Sequence, residues 1–229
     1  MLPPPPPVLL ILGTDAAGKD YVADFLIRRW QAAGYAVEKR AGRFSASAVD
    51  DRSSSERKGR WGRFQEQVFL NLFPLLRPLL PGVAGWLLRR DYRRFRPTDR
   101  PVVVVSHTAL RLLALVRGQV HAPPPLSLAL QQALRALRET TQATVIVLDI
   151  DPAIRQRRIS ARIECGTVDP FDRYMLADRV RAERIEGGLV DLATRYLNAA
   201  VIENDDLDDA ALEWELERVL GRPAPFPSP

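Results

Sequence analysis

The spacing of residues Gly13 to Lys19, G-x-x-x-x-G-K, predicts a loop that binds phosphate groups. Its glycines let the backbone fold around an anion, so that amide N–H groups and the N-terminus of a following helix face it. Lys19 would add a positive charge beside the terminal phosphates of a nucleotide. The candidate nucleotide-binding residues are therefore Gly13, Asp15, Ala16, Ala17, Gly18, Lys19 and Asp20.

The residue after Lys19 departs from this motif. A Ser or Thr normally follows the lysine and binds Mg²⁺ through its hydroxyl, whereas this chain has Asp20. A carboxylate can also bind Mg²⁺, which makes Asp20 the candidate metal ligand. It also brings negative charge close to a triphosphate. Two interpretations stay open: a nucleotide site, or a loop that keeps the fold and has lost nucleotide binding.

Three arginines follow a predicted helix start at a spacing typical of one helix face. Arg155, Arg158 and Arg162 are spaced i, i+3 and i+7. Such a face could close over a transferring phosphoryl group and neutralise its charge. Arg158 and Arg162 are therefore the candidate catalytic residues, together with Lys19. A plain basic surface exposed to solvent is the alternative.

Two further candidates follow predicted strands. Arg43 comes directly after the second strand and opens a Ser- and Arg-rich loop that runs from Gly42 to Arg63. It could meet a substrate phosphate, or the loop could be merely solvated. His107 follows the apolar strand Val102 to Val105, and ligands of parallel α/β sheets bind at such carboxyl ends. It could contact phosphate, act as acid or base, or be a capping or core-edge histidine.

The sequence predicts alternating strands and helices, which must position these residues. Apolar runs predict five strands, at Val8–Leu12, Tyr35–Lys39, Val102–Val105, Thr144–Leu148 and Ala199–Ile202. Helical patterns lie between them, at about Gly18–Ala33, at Trp61–Arg94 with breaks at prolines, at Leu126–Leu137, after Pro152, at Phe171–Leu197 with loosening at Gly187-Gly188, and at Asp205–Leu220. This alternation favours an α/β fold with a parallel sheet and right-handed crossovers.

Composition limits the classes of function. The 229 residues carry a net charge of +5, which suits an anionic partner such as a phosphorylated small molecule. One cysteine, Cys165, excludes an internal disulfide and fits a reducing compartment. With neither a signal-peptide pattern nor an uninterrupted apolar span, we expect a cytoplasmic protein without membrane contact. No zinc-finger or aromatic RNA-binding signature is recognisable, so a nucleic-acid partner is not expected.

The organisation along the chain is predicted to be simple. Residues 1–7 read as a flexible proline-rich tail, residues 8–221 as one domain and residues 222–229 as a second tail. A lid is expected over about residues 155–175. The sequence does not give the oligomeric state, and a homodimer is one option.

The chain resembles P-loop nucleotide kinases of the thymidylate kinase type, as a divergent member. The segment Gly13 to Lys19 is similar to that family's G-x-D-x-x-G-K. The segment Val145 to Pro152, followed by Arg158 and Arg162, resembles the family's strand, its D-x-x-P helix start and its lid arginines. Further similar segments are Phe171-Asp172-Arg173, Arg179-Val180-Arg181 and Tyr196 to Ile202.

This resemblance implies a three-layer fold with a five-stranded parallel sheet in the order 2-3-1-4-5, helices on both faces and an arginine-rich lid. It implies transfer of the γ-phosphoryl group of ATP to a nucleoside monophosphate such as dTMP, with ATP and Mg²⁺ bound. Asp15 would then lie near the sugar of the acceptor nucleotide. With Arg43 and His107, it makes up the candidate substrate-binding set.

Two positions depart from the family's pattern. Asp20 replaces the hydroxyl residue, and Ser106-His107-Thr108 stands where the family has Asp-Arg followed by an aromatic residue or His. That missing carboxylate is central to the family's metal and acceptor chemistry. A catalytically impaired nucleotide-binding relative that acts through partners is therefore a second hypothesis. Asp15 to Lys19 also resembles the second family of polyphosphate kinases, which leaves a polyphosphate-kinase-like phosphotransferase as a further alternative.

Overall fold

The computed structural model describes residues 2–45 and 60–221, except for the side chains of residues 60–63. Within those ranges, one sheet is formed by five strands: Val8–Gly13 (β1), Glu38–Ala41 (β2), Val102–Val105 (β3), Thr144–Asp149 (β4) and Ala200–Glu203 (β5). Every neighbouring pair is parallel, and the order is β2-β3-β1-β4-β5. This confirms the predicted five-stranded parallel sheet and its order.

Helices cover both faces of the sheet. In the described part of the chain they are Lys19–Ala32 (α1), Arg60–Leu76 (α2), Leu80–Arg94 (α3), Thr108–Arg117 (α4), Leu128–Thr141 (α5), Pro152–Glu164 (α6), Pro170–Leu176 (α7), Arg179–Leu197 (α8) and Asp209–Leu220 (α9). The strands are buried on both sides because helices pack against each face, and their sequences are accordingly almost continuously apolar.

Alternate residues of β1 separate the core into two halves. Leu10 and Leu12 pack with α2 to α5, α7 and α8, whereas Leu9 and Ile11 pack with α1 and α9 on the opposite face. This division follows from the two-residue period of side chains along a strand. The loop after β1 therefore leaves the centre of the sheet between two packed layers, where its position is well determined.

The second strand begins three residues later than predicted and ends two residues later. Tyr35 N–H instead donates to the carbonyl of Trp30 and closes the end of α1, where Gly34 has φ +90°. Pairing with β3 then begins at Glu38 and includes the buried Arg40. The apolar pattern misplaces this strand because its sequence, EKRA, is mostly charged.

The long helical region predicted for Phe171–Leu197 is two helices, and the break differs from the predicted one. Asp178 caps α8 by accepting from Arg181 N–H, and the chain bends there. The helix continues through Gly187-Gly188, where loosening was predicted. A Cβ on Gly188 would lie 3.9 Å from the carbonyl of Ala114, so this glycine lies close to α4.

Several sequence predictions concern the ends and the connecting loop. In the segment predicted as a flexible N-terminal tail, Pro3 accepts a hydrogen bond at 2.9 Å from Trp30 Nε1, and Leu2 packs beside the α1–α9 core. The predicted tail at 222–229 and residues 46–59 of the predicted loop lie outside the described residues.

The helices α2 and α3 contain the most apolar stretch of the chain, Val68 to Leu88. Among the described residues, no single helix is long and apolar enough to cross a membrane. The segments Phe64–Leu76 and Leu80–Arg94 reach that length and composition only when taken together, and they are bent by 118° to each other.

Candidate phosphate-binding cleft

The glycine loop joins β1 to α1 at the carboxyl edge of the sheet. Gly18 is the N-cap of α1 in the left-handed conformation, with φ +83° and ψ +18°. A Cβ at this position would lie 2.6 Å from Nδ2 of Asn204, so both the backbone angle and the available space require glycine. The first amides of a helix have no acceptor within the helix, and this is the feature that an anion site uses.

Hydrogen bonds to backbone carbonyls hold the loop in shape. They run from Lys19 Nζ to Thr14 O (2.6 Å), from Arg158 Nη1 to Ala16 O (3.1 Å) and from Asn204 Nδ2 to Ala17 O (2.7 Å). The donors come from α1, from α6 and from the end of β5. The loop backbone is therefore held by side chains from three elements, and a backbone fixed in this way is what phosphate binding needs.

Lys19 is the buried cation of the site. Its side chain is 9% exposed, and Nζ lies 3.7 Å from Oδ1 of Asp15. Burial lowers the pKa of Lys19, and the positive charges of Arg111 and Arg162 lower it further against the opposing effect of Asp15 and Asp20. The ammonium group is thus poorly solvated and close to other cations, so an added anion would stabilise its charge.

Arg111 is a functional candidate that the sequence reasoning missed. It lies in the first turn of α4, where Nη2 donates to Oδ2 of Asp15 at 2.7 Å. Its guanidinium also lies over the ring of Phe171, 5.2 Å from the centroid. Its position one turn after the carboxyl end of β3 was the available signal, because ligands gather at that edge.

A cleft of about 830 Å³ opens beside the loop. Its charged lining residues include the basic Lys19, Arg111 and Arg162 and the acidic Asp15, Asp20, Glu66 and Asp169. Its apolar wall is formed by Phe69, Leu112, Leu115 and Phe171. The lining therefore combines charged side chains of both signs with apolar ones, and this volume is ample for a small-molecule substrate.

The three remaining candidates from the sequence have different positions. Asp20 lines the cleft with its side chain 73% exposed, and Lys39 Nζ lies 3.5 Å from its Oδ1. Arg43 is exposed and directly follows Gly42, which lines the cleft. His107 is buried at 1% exposure and lies against Asp91 rather than among the residues that line the cleft.

The arginines of α6 have separate environments. Arg155 is buried and paired with Glu186 of α8. Arg158 is bound to the glycine loop and to Asn204 O at 3.0 Å. Arg162 lines the cleft with its side chain 43% exposed. Of the three, Arg162 is therefore the one whose guanidinium can meet a ligand directly.

Asp172 orients Arg162 toward this cleft. Its carboxylate lies 3.3 Å from Arg162 Nη1 and also takes part in the capping box at the start of α7. Burial raises the pKa of Asp172, the nearby Asp169 raises it further, and Arg162 opposes both. Arg162 is thus held by a side chain that belongs to α7 rather than to its own helix.

The described part of the chain offers few side chains for a metal ion. Among the described residues, no group of three or more His, Cys, Asp and Glu side chains could hold a metal ion. Mg²⁺ in phosphate sites needs fewer, since it uses one or two carboxylates together with substrate phosphates and water. Asp20 has the exposure and the position for such a contact.

The parallel sheet order and the glycine loop between β1 and α1 make this a P-loop kinase-like α/β fold. No protein-family model matches the chain, and no curated protein matches it. Among solved structures it is similar to a thymidylate kinase from Ehrlichia chaffeensis. The sequence identity is 13%, the coverage is 93% of this chain and 97% of that chain, and the TM-score is 0.40. A similarity of this size carries no argument about activity, which depends on the residues of the cleft.

Proposed function

We propose that this protein is an ATP-dependent phosphotransferase that moves the γ-phosphoryl group of ATP to a nucleoside monophosphate such as dTMP. The observation that carries the proposal is the buried ammonium of Lys19 at the start of α1, in a cleft that it shares with Arg111 and Arg162. Three cations in the lining of one cleft suit the phosphate groups of two substrates.

The donor would bind at the glycine loop. The amides at the N-terminus of α1 and the charge of Lys19 would hold its β- and γ-phosphates. Asp20 is the side chain that would hold Mg²⁺, and the ion would neutralise part of the phosphate charge. Arg162 would lie beside the transferring group and stabilise charge on its oxygens.

The acceptor would occupy the part of the cleft lined by Arg111 and Phe171. Phe69 and Phe171 offer flat apolar surfaces of the kind that a nucleobase contacts. Arg111 would hold the acceptor phosphate, and Asp15 would keep its guanidinium in place. The chemistry asked of the protein is then positioning and charge neutralisation, which suits the loose transition state of phosphoryl transfer.

The decisive experiment is a panel of nucleoside monophosphates incubated with ATP and Mg²⁺, with products identified by chromatography. We expect diphosphate product from at least one acceptor, and its loss in Lys19→Ala. The matched control is Arg29→Ala, which removes one positive charge from the same helix at an exposed pair with Glu213. Full activity in Lys19→Ala, or no product with any acceptor, would contradict the proposal.

A nucleotide-binding protein without transferase activity is the second candidate. Two observations favour it: the end of β3 offers Ser106 and a buried His107 instead of a carboxylate, and Asp15 is already paired with Lys19 and Arg111. Thermal stability with and without Mg²⁺ separates the two candidates. A ligand at 100 times its Kd stabilises the folded state by about 2.7 kcal/mol, so a shift without product would favour this candidate.

The donor also needs a test, because the loop resembles that of polyphosphate kinases. Replacing ATP by polyphosphate in the same panel would distinguish the two donors. We expect product with ATP, and product with polyphosphate alone would favour the polyphosphate-kinase-like alternative.

A further inference from the structure

A chain of three buried polar side chains connects the glycine loop to α6 through α8. Thr14 Oγ1 donates to Oε1 of Glu186 at 2.9 Å, and the other carboxylate oxygen of Glu186 pairs with Arg155. The exposed fractions of Thr14, Glu186 and Arg155 are 5%, 5% and 4%. The three residues lie 31 or more positions apart in the sequence, so the fold alone brings them together.

Burial of this charged pair calls for an explanation beyond stability. Removing two charges from water costs about as much free energy as their attraction returns, and an apolar pair of similar size is often at least as stable. The carboxylate of Glu186 is the hydrogen-bond acceptor that the buried hydroxyl of Thr14 needs. The polar chain therefore fixes particular atoms in place, as buried polar groups do in other proteins where one geometry must be specified.

The atoms that it fixes belong to the phosphate site. Thr14 is the second residue of the glycine loop, and its carbonyl accepts the bond from Lys19 Nζ. A displaced Thr14 would therefore move the partner of the buried ammonium as well as the loop backbone. Glu186 thus acts on the phosphate site indirectly. It binds the hydroxyl of Thr14, and the carbonyl of Thr14 binds Lys19.

The other end of the chain fixes the helix that carries the cleft arginine. Arg155 and Arg162 are seven residues apart on α6, which is two helical turns or about 10.5 Å along the axis. Between them, Arg158 binds the loop at Ala16 O. The position of α6 relative to the loop is thus set at two successive turns, and Arg162 extends from the third.

We propose that Glu186 is a positioning residue that holds the glycine loop and Arg162 at a fixed separation, so that both contact the same phosphate chain. The effect on phosphoryl transfer rests on the proposed function, whereas the effect on binding of a phosphate ligand does not. Glu186 itself lies behind the loop and contacts Thr14 and Arg155.

The test uses paired variants of the full chain and measures ATP affinity by calorimetry. Thr14→Val keeps the shape of the side chain and removes the hydroxyl, and we expect it to weaken ATP binding about tenfold, the size of one buried hydrogen bond to a charged group. Thr14→Ser keeps the hydroxyl and restores most of that loss. Glu186→Gln weakens binding similarly, because it leaves the charge of Arg155 uncompensated.

The double variant Thr14→Val, Glu186→Gln tests the coupling itself. Residues that act as one unit give effects that do not add, so the double variant should lose little more affinity than either single variant. Asp191→Asn is the control on the same helix, because it removes a carboxylate that pairs with Arg117 and with the exposed Arg195. Its ATP affinity should equal that of the wild type.

A purely structural role would change the melting temperature without changing the affinity measured below it. Additive losses in the double variant, or unchanged affinity in Thr14→Val, would overturn the inference; the Thr14 variants keep this outcome accessible if Glu186→Gln does not fold. Coupled binding losses without any transfer in the wild type would remove the proposed function alone. A wild type that binds neither ATP nor tripolyphosphate would remove both.

Discussion

The imidazole Nε2 of His107 lies 3.0 Å from Oδ2 of Asp91, and each of these two side chains is 1% exposed. The same carboxylate accepts backbone N–H bonds from Phe44 at 2.9 Å and Ser45 at 2.8 Å. Asp91 of α3 therefore fastens the chain that follows β2 to the residue that follows β3. This contact explains why His107 is buried although it stands at the ligand-binding edge of the sheet.

The first prediction is that Asp91 stabilises the fold in a pH-dependent way. Burial alone would raise its pKa, but hydrogen bonds from His107, Ser45 and Phe44 outweigh burial and lower the pKa of Asp91. A carboxyl group with a lowered pKa in the folded state adds stability above its unfolded pKa of about 3.9, and this is lost as the pH falls through the folded pKa. Urea unfolding measured from about pH 7 down to about pH 2 should show this loss, with most of it below about pH 4.

The matched variants are Asp91→Ala and Asp99→Ala, since Asp99 is exposed in the loop before β3. Asp91→Ala should lower the free energy of unfolding by about 3 kcal/mol at neutral pH, because it leaves buried donors without an acceptor. It should also flatten the acid dependence. Asp99→Ala should resemble the wild type. Equal acid dependence in both variants would exclude Asp91 as its source.

The second prediction concerns the alkaline limit of nucleotide binding. Because burial and the neighbouring Arg111 lower the pKa of Lys19, its ammonium group should lose its proton at a lower pH than an ordinary lysine does. ATP affinity should therefore decline as the pH rises toward about 10, and the measurement is Kd by calorimetry at several pH values. Lys19→Arg keeps its charge throughout this range, so whatever affinity it has should not decline. A decline of the same size in Lys19→Arg would assign the effect to another group.

The third prediction separates the acceptor from the donor. Arg111→Ala should raise the KM for the nucleoside monophosphate about tenfold to hundredfold, because it removes a guanidinium held by Asp15 over Phe171. The KM for ATP should change much less. Arg111→Lys should not restore the acceptor KM, since an ammonium group cannot bond to Asp15 and lie flat over the ring at once. A larger effect on ATP than on the acceptor would place Arg111 at the donor.

The regular part of this fold was accessible from the sequence because its signals are local. Val8 to Leu12 and Val102 to Val105 are continuous apolar runs, and such runs mark central parallel strands. The loop was accessible because glycine and lysine spacing reports directly on phosphate geometry. In contrast, β2 begins three residues later than predicted because its buried Arg40 gives no apolar signal.

The supports of the site were beyond sequence reasoning because each depends on a partner far along the chain. Glu186 reaches Thr14 across 172 positions, and Asn204 reaches Ala17 across 187. The helical spacing of the three arginines on α6 predicted a common role. However, Arg155 forms a buried ion pair with Glu186, and of the three only Arg162 lines the cleft. Periodicity gives the face of a helix, whereas the neighbouring element decides what that face contacts.

The fourth prediction follows from this division of roles on α6. Arg162→Ala should lower kcat at least a hundredfold with a smaller change in the KM for ATP, because a cation beside the transferring group stabilises charge that develops in the transition state. Arg157→Ala is the control, since Arg157 is exposed on the same helix and pairs with Asp206. It should retain the wild-type kcat.

Asp172→Asn tests the interaction between Arg162 and Asp172 from the other partner. It removes the charge that faces Arg162 but keeps an oxygen for the capping bond at the start of α7, so the fold should persist. With its orienting charge gone, Arg162 should be less well placed, and kcat should fall by less than in Arg162→Ala. In the double variant the loss should equal that of Arg162→Ala, because Asp172 acts only through the arginine. A further loss in the double variant would mean that Asp172 contacts the substrate itself.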